Sequence, residues 1–357
     1  MRRAALSVIF ILLLPLATAS ARTWWVIPGG TGDALTIQAG IDLAGAGDTV
    51  VVECGTYYEH EIVMKDSVYL ASETGGASCV VIDAQGLGRV MLCDSLSGQA
   101  KIDGFTLTGG SATGTGHAGS GGGMACLNYS SPFLSYVYFV ENSADHMGGG
   151  LFCGNVSSPS INFCHFVDNE AGYGGGGLAS EYYSPASIGR SKFQGNTTPG
   201  DGGGVLCDEM SWVYLSRCTL VGNAAGGRGG GLCASENSDP NLVRCLIAFS
   251  TDGEGVYATN PGSDIALSCC DVFGNADGDW VDSVADQENV DGNFGQDPLL
   301  CDITADFLYV EACSPCVDGY HPYGHDCGSY IGASPAGCQC GEATEPATWG
   351  TIKAIYR

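Results

Sequence analysis

Five glycine triplets open at Gly121, Gly148, Gly175, Gly202 and Gly229, and each is followed at once by an aliphatic residue: Met124, Leu151, Leu178, Val205 and Leu232. The step is 27 residues each time. A second marker keeps the same interval, since Phe139, Phe166, Phe193 and Leu220 each stand three positions before an asparagine, at Asn142, Asn169, Asn196 and Asn223. A fixed period between about 20 and 50 residues is the signature of a solenoid, in which one repeat is one coil that cannot bury its apolar face alone. Glycine loses the most conformational entropy on folding, so its return at one phase of the repeat marks a backbone position with a steric demand.

Between these markers lie short β-type runs such as "SINFCHFV" and "LVRCLIAF", broken by Gly, Asn, Pro and Ser. Helical repeats would need long apolar patterns of period 3.6 instead. Three short strands per coil, each paired with its equivalent above and below, predict an all-β, right-handed parallel β-helix. Each repeat position then becomes a ladder with a spacing of about 4.8 Å. Leu134, Ile161, Ile188, Leu215 and Leu242 predict one inward ladder, and Phe139, Phe166, Phe193, Leu220 and Ile247 a second. The aliphatic residues after the glycines predict a third. Asn142, Asn169, Asn196 and Asn223 predict a turn ladder bonded along the stack, interrupted by Ser250 and resumed at Asn275. The glycines are expected to supply positive φ at a corner.

Cysteine follows the same columns: Cys126, Cys153, Ser180 and Cys207 in one, Cys164, Ser191, Cys218, Cys245 and Cys270 in another. Side chains in register about 4.8 Å apart exceed the roughly 3.5–4.5 Å Cβ separation of a relaxed disulfide. Interior thiols packed as small apolar groups are therefore the favoured reading.

The ends differ from the regular coils at 121–252. Residues 1–21 have the layout of a cleaved secretory signal, with Arg2 and Arg3, an apolar run and Ala19-Ser20-Ala21. Residues 22–341 read as one β-helix domain. Its N-terminal cap, 22–60, includes a short helix at Thr36 to Ala44 that covers the open end of the stack. Its C-terminal end, 274–341, is irregular and Cys-rich, gathering Cys301, Cys313, Cys316, Cys327, Cys338 and Cys340 beside His321 and His325. Disulfides outweigh zinc there in an exported chain. Residues 342–357, with Trp349, Ile352, Ile355 and Tyr356, read as a sorting or docking tail or as a frayed end.

The chain carries 13 basic against 39 acidic residues, a net charge of −26, which repels nucleic acid. After the signal, no apolar run reaches the roughly 18 residues of a membrane span. A monomer without a cofactor is expected. Calcium is considered for Asp277, Asp279 and Asp282, but their loop matches neither an EF-hand nor the Gly-Gly-x-Gly-x-Asp repeat, so a solvated loop is the stronger reading. The glycine triplets lack the Lys-Ser/Thr of a phosphate loop, and His117 and His146 have no nucleophile partner in any recognisable spacing.

"TIQAGIDLAGAGDTVVVECGTYYE", "VVIDAQG", "IDGFTLTGG", the two repeat markers and "DPLLCD…SPCVDG" together resemble secreted bacterial right-handed parallel β-helix proteins of the pectate-lyase-like superfamily. The repeats are also similar to those of chlamydial polymorphic outer-membrane proteins. The resemblance implies the fold, and it leaves activity open among lyases, hydrolases, esterases and adhesins. Lyases of that superfamily generally combine calcium-binding carboxylates with a proton-abstracting base, and its hydrolases use paired acids. No such motif is recognisable, although Glu141 and Asp168 share one column and Glu181 and Asp208 another.

Function is sought on outward positions. One column runs Tyr136, Phe163, Arg190, Arg217 and Arg244, and two positions on runs Tyr138, His165, Lys192 and Thr219. Aromatic faces stack on sugar rings and guanidinium groups hold carboxylates, so the stripe predicts contact with an acidic polysaccharide lying along the stack. The competing reading is that the arginines merely neutralise Glu181, Asp208, Glu209 and Glu236. Tyr182, Tyr183 and Trp212 form a second aromatic and acidic patch. A non-catalytic surface protein that contacts polysaccharide is expected, with a lyase or hydrolase, and then a structural spacer, as the alternatives.

Overall fold

The computed structural model describes residues 20–259, 262–302 and 308–341. The expected signal, up to residue 19, and the tail 342–357 lie outside the described residues.

Parallel pairing runs through the coils with no slip between the repeated units. Leu151 pairs with Leu178, Leu178 with Val205, Val205 with Leu232 and Leu232 with Val256. Leu134, Ile161, Ile188, Leu215, Leu242 and Leu267 pair in the same way, as do Phe139, Phe166, Phe193, Leu220, Ile247 and Val272. These columns fill one continuous core. Inside it the phenylalanines lie nearly flat on each other, with ring centroids 4.7 Å and 4.4 Å apart. The fold is thus an all-β parallel solenoid, and among the described residues no helix is long and apolar enough to cross a membrane.

Each coil has a wall of two strand segments, a two-residue strand such as Glu170–Ala171, and a third strand such as Leu178–Ser180. At the N-terminal end the helix Ile37–Leu43 is capped by Thr36, whose hydroxyl accepts the Ala39 N–H, and it buries Ile37, Gly40 and Ile41 over the first coils.

Two polar ladders hold the turns. The Asn196 side-chain amide donates to Phe166 O and to Asn223 Oδ1, while its own Oδ1 accepts from the backbone and side chain of Asn169. The second ladder is serine: the backbone N–H groups of Ser130, Ser157, Ser184 and Ser211 donate to the hydroxyls of Ser157, Ser184, Ser211 and Ser238. A 27-residue step of serines carried that signal, and the small polar side chain had hidden it among loop residues.

The cysteine columns are buried and unpaired: Cys126, Cys153, Cys207, Cys164, Cys218, Cys245 and Cys270 all carry free thiols. The disulfides lie outside these columns. Neighbouring coils do support one, Cys54–Cys79, with Cα atoms 4.6 Å apart. It lies on the outer surface, just before the paired residues Gly55 and Val80, where side chains are free to turn toward each other. Of the six C-terminal cysteines, four pair with one another and one with the body. Cys327 bonds to Cys269 of the body, Cys301 to Cys338 and Cys313 to Cys340, while Cys316 stays a buried thiol.

Candidate functional site

Where the two wall segments meet, the chain turns on one left-handed residue per coil: Tyr136 (φ 49°), Phe163 (56°), Arg190 (48°), Arg217 (53°) and Arg244 (56°). The turn inserts an extra outward position, so Leu134 and Val137 both point into the core with two residues between them. Sequence alternation alone could not place that break. Left-handed residues recur at the other corners too, so the side chains, not the backbone, single this corner out.

The aromatic end is pre-stacked. Tyr136 lies on Phe163 with centroids 5.1 Å apart and an interplanar angle of 7°, and Tyr138 lies on His165 at 4.0 Å and 8°. The Arg190 guanidinium sits 5.4 Å from the Phe163 ring centre. Tyr136, Tyr138, Phe163, His165, Arg190 and Lys192 line one pocket of about 170 Å³, so the structure brings six of the eight predicted residues together. Its remaining wall is Tyr309 with Ala333, Ser334 and Pro335. His165 is only 7% exposed, and its Nδ1, buried from solvent, has no hydrogen-bond partner among the described residues. Burial first, and then the Lys192 charge, push its pKa down to about 3, so the imidazole is neutral at ordinary pH.

The expected open stripe is corrected at its basic end. Lys192 is 5% and Thr219 1% exposed, because the C-terminal segment folds back across them. Ala333 donates its N–H to Thr219 Oγ1 at 2.8 Å and Gly332 donates to Arg244 O at 2.9 Å. Tyr330 lies under the Arg217 guanidinium, 5.6 Å from ring centre to Cζ. This cover rests on an apolar cluster of its own, including Leu246, Phe249, Phe294, Leu308, Val310 and Ile331. The non-repeating C-terminal sequence gave no sign of where it would dock.

Arg190 also lines a second trough of about 230 Å³ with Asn162, Ser187, Tyr214, Ser216 and Arg217. Arg190, Arg217 and Arg244 have no carboxylate at ion-pair distance among the described residues. They are therefore not neutralising Glu181, Asp208, Glu209 or Glu236, which lie along other parts of the coil.

Asp208 and Glu236 line a separate cleft of about 610 Å³ with Tyr173, Asp201, Leu206 and Ser235. Beside it, burial and then Glu209 and Asp208 push the Glu181 carboxyl up to about 7, and His117 Nε2 lies 3.8 Å away. Asp208 accepts from the Glu209 N–H and the Ser235 hydroxyl. Tyr182 and Tyr183 meet edge to face, 5.5 Å apart, at the neighbouring corner.

The calcium candidates do not converge. Asp279 accepts the N–H groups of Gly274 and Asn275 and the Asn275 amide, Asp277 accepts the Gly253 N–H, and Asp282 opens a short 3-10 turn. Cys269, His325 and Cys327 do bring ligand atoms within 4.8 Å of one another, but the two sulfurs are joined in a disulfide.

A parallel β-helix whose coil corners carry grooves is the class these features define. Among solved structures the chain is similar to pectate lyase Pel9A, with a TM-score of 0.53 and 11% identity over 89% of this chain and 97% of that one. That likeness shows the fold. No family model matches the sequence, and no curated protein does.

Proposed function

We propose that this chain is an exported polysaccharide-binding protein, and that its site is the aromatic and basic corner around Arg190. One observation carries the reading: Tyr136, Phe163 and Arg190 form a ready-made stack beside a pocket and a trough that share the arginine. Stacked rings offer flat apolar faces to sugars, and a guanidinium without a carboxylate partner is available to an acidic ligand. The signal-like N-terminus and the disulfides support export, and the likeness in fold to a pectate lyase fits this class of ligand.

A hydrolase is the second reading, favoured by the acidic cleft. Glu181, held near neutrality by burial and by Glu209 and Asp208, is placed to give the proton that general acid catalysis requires.

One panel separates the two. Acidic and neutral oligosaccharides are titrated against the protein, and the same mixtures are assayed for new reducing ends. Arg190→Ala is expected to weaken acidic ligands about 10- to 100-fold, the worth of a charge-assisted bond, with Tyr129→Ala unchanged. Equal affinity in Arg190→Ala would sink the binding site. Reducing ends that vanish in Glu181→Gln would promote the hydrolase.

A further inference from the structure

We propose that the pocket at His165 is a terminal subsite: it receives the end ring of a glycan chain, and the rest of the chain leaves past Arg190 into the Tyr214 and Arg217 trough. This rests on the polysaccharide reading above and specifies how the chain lies.

Toward the C-terminal coils the pocket is blind. On the very next coil the C-terminal segment crosses the column, with Ala333 bonded to Thr219 Oγ1 and Gly332 to Arg244 O. A Cβ on Gly332 would stand 2.8 Å from Thr219 Oγ1, so no space remains beneath the crossing. Thr219 and Leu246, outward-facing by register, are each 1% exposed. A polymer running along the coils would have to pass through this segment.

Size and polarity fit one ring. The pocket holds about 170 Å³, below the roughly 300–1,000 Å³ of sites for drug-sized ligands. His165 lines it with an imidazole that is 7% exposed and neutral. Tyr138, stacked on the same imidazole, supplies an aromatic surface beside it.

The exit follows from Arg190, which borders both cavities. A carboxylate on the second ring would meet this guanidinium, and the following rings would lie against Tyr214, Ser216 and Arg217. The path crosses the corner instead of following the column.

The test is stoichiometry against chain length, with oligogalacturonates from tetramer to long polymer as probes, read by calorimetry and sedimentation. One protein per chain at every length is expected, with affinity per chain nearly constant. Protein bound per chain rising with length would overturn the terminal subsite while leaving polysaccharide binding intact. No binding at any length would overturn both. Tyr138→Ala removes the ring that lines the pocket beside His165, and about tenfold weaker binding at each length is expected; full affinity would overturn the subsite. Ser334→Phe, which fills the pocket from its opposite wall, is expected to abolish binding of short and long chains alike. Undiminished affinity in that variant would overturn the proposal without reference to Tyr138.

Discussion

Asn196 shows how one side chain closes a coil. Its amide satisfies Phe166 O and the next asparagine, and its carbonyl takes two donors from the previous one, all buried. Replacing it by alanine strands the Asn169 N–H and the Phe166 carbonyl in the core, where an unmade hydrogen bond costs about 1–3 kcal/mol. Asn196→Ala is therefore expected to lower stability by about 3 kcal/mol, read as a shift of the urea midpoint. A loss below about 1 kcal/mol would mean that water or a relaxed turn satisfies the ladder. The chain itself contains a milder version. Ser250 occupies the same column, its N–H still bonds to Asn275 Oδ1, and its hydroxyl is left without a partner.

The glycine corner divides its labour. Only the first glycine of each triplet has the left-handed backbone expected of the group, with φ of 64° to 72° from Gly121 to Gly229. The second and third are there for clearance: a Cβ on Gly176 would lie 2.6 Å from Gly203 O and from the Thr197 backbone. Gly176→Ala must push whole coils apart, and the expected cost is several kcal/mol, in the range of other backbone and overpacking failures. Gly29→Ala, where nothing lies within 4 Å and φ is not positive, is expected to be silent in the same denaturation series. If both behave alike, close coil packing is not what holds glycine in the repeat. The contrast explains what the sequence could reveal. Columns of Leu, Phe, Asn and Gly were legible because stacking turns a 27-residue period into contact. The corner at Tyr136 to Arg244 was placed correctly as a column, yet its break in alternation needs a backbone angle that no residue type announces. The crossing at Thr219 was not legible, since Ala333 lies 114 residues away and belongs to no repeat.

Docking that C-terminal segment against the coils buries an acid. Asp271 follows Lys192, Thr219 and Leu246 in one column and is fully buried where coil and segment meet. Its Oδ2 accepts from the Cys316 thiol and its Oδ1 from the Gln296 N–H. Burial, reinforced by Asp279 and Asp297, outweighs these bonds and raises its pKa well above the usual 3.8. In the unfolded chain the proton leaves near the ordinary value, while the folded protein keeps it to higher pH. Between those limits the native state binds more protons, so stability falls as pH rises, by up to about 1.4 kcal/mol per unit for one group. Glu181 adds the same sign between 4.5 and about 7. Asp48 and Asp66 are held below 3.8 by hydrogen bonds and act with the opposite sign under that value, and His165, held down to about 3, acts with the opposite sign from there to the ordinary 6.5, as does His117 just below 6.5. Above about pH 6.5, where the imidazoles no longer oppose it, stability is thus expected to fall as pH rises, the direction in which repulsion in a chain of net charge −26 also acts. Asp271→Asn separates the two causes. It removes the ionisation but hardly changes the total charge, so a flattened midpoint-versus-pH curve assigns the slope to the buried acid. An unchanged slope would assign it to general repulsion and leave the docked segment without a role in the pH response.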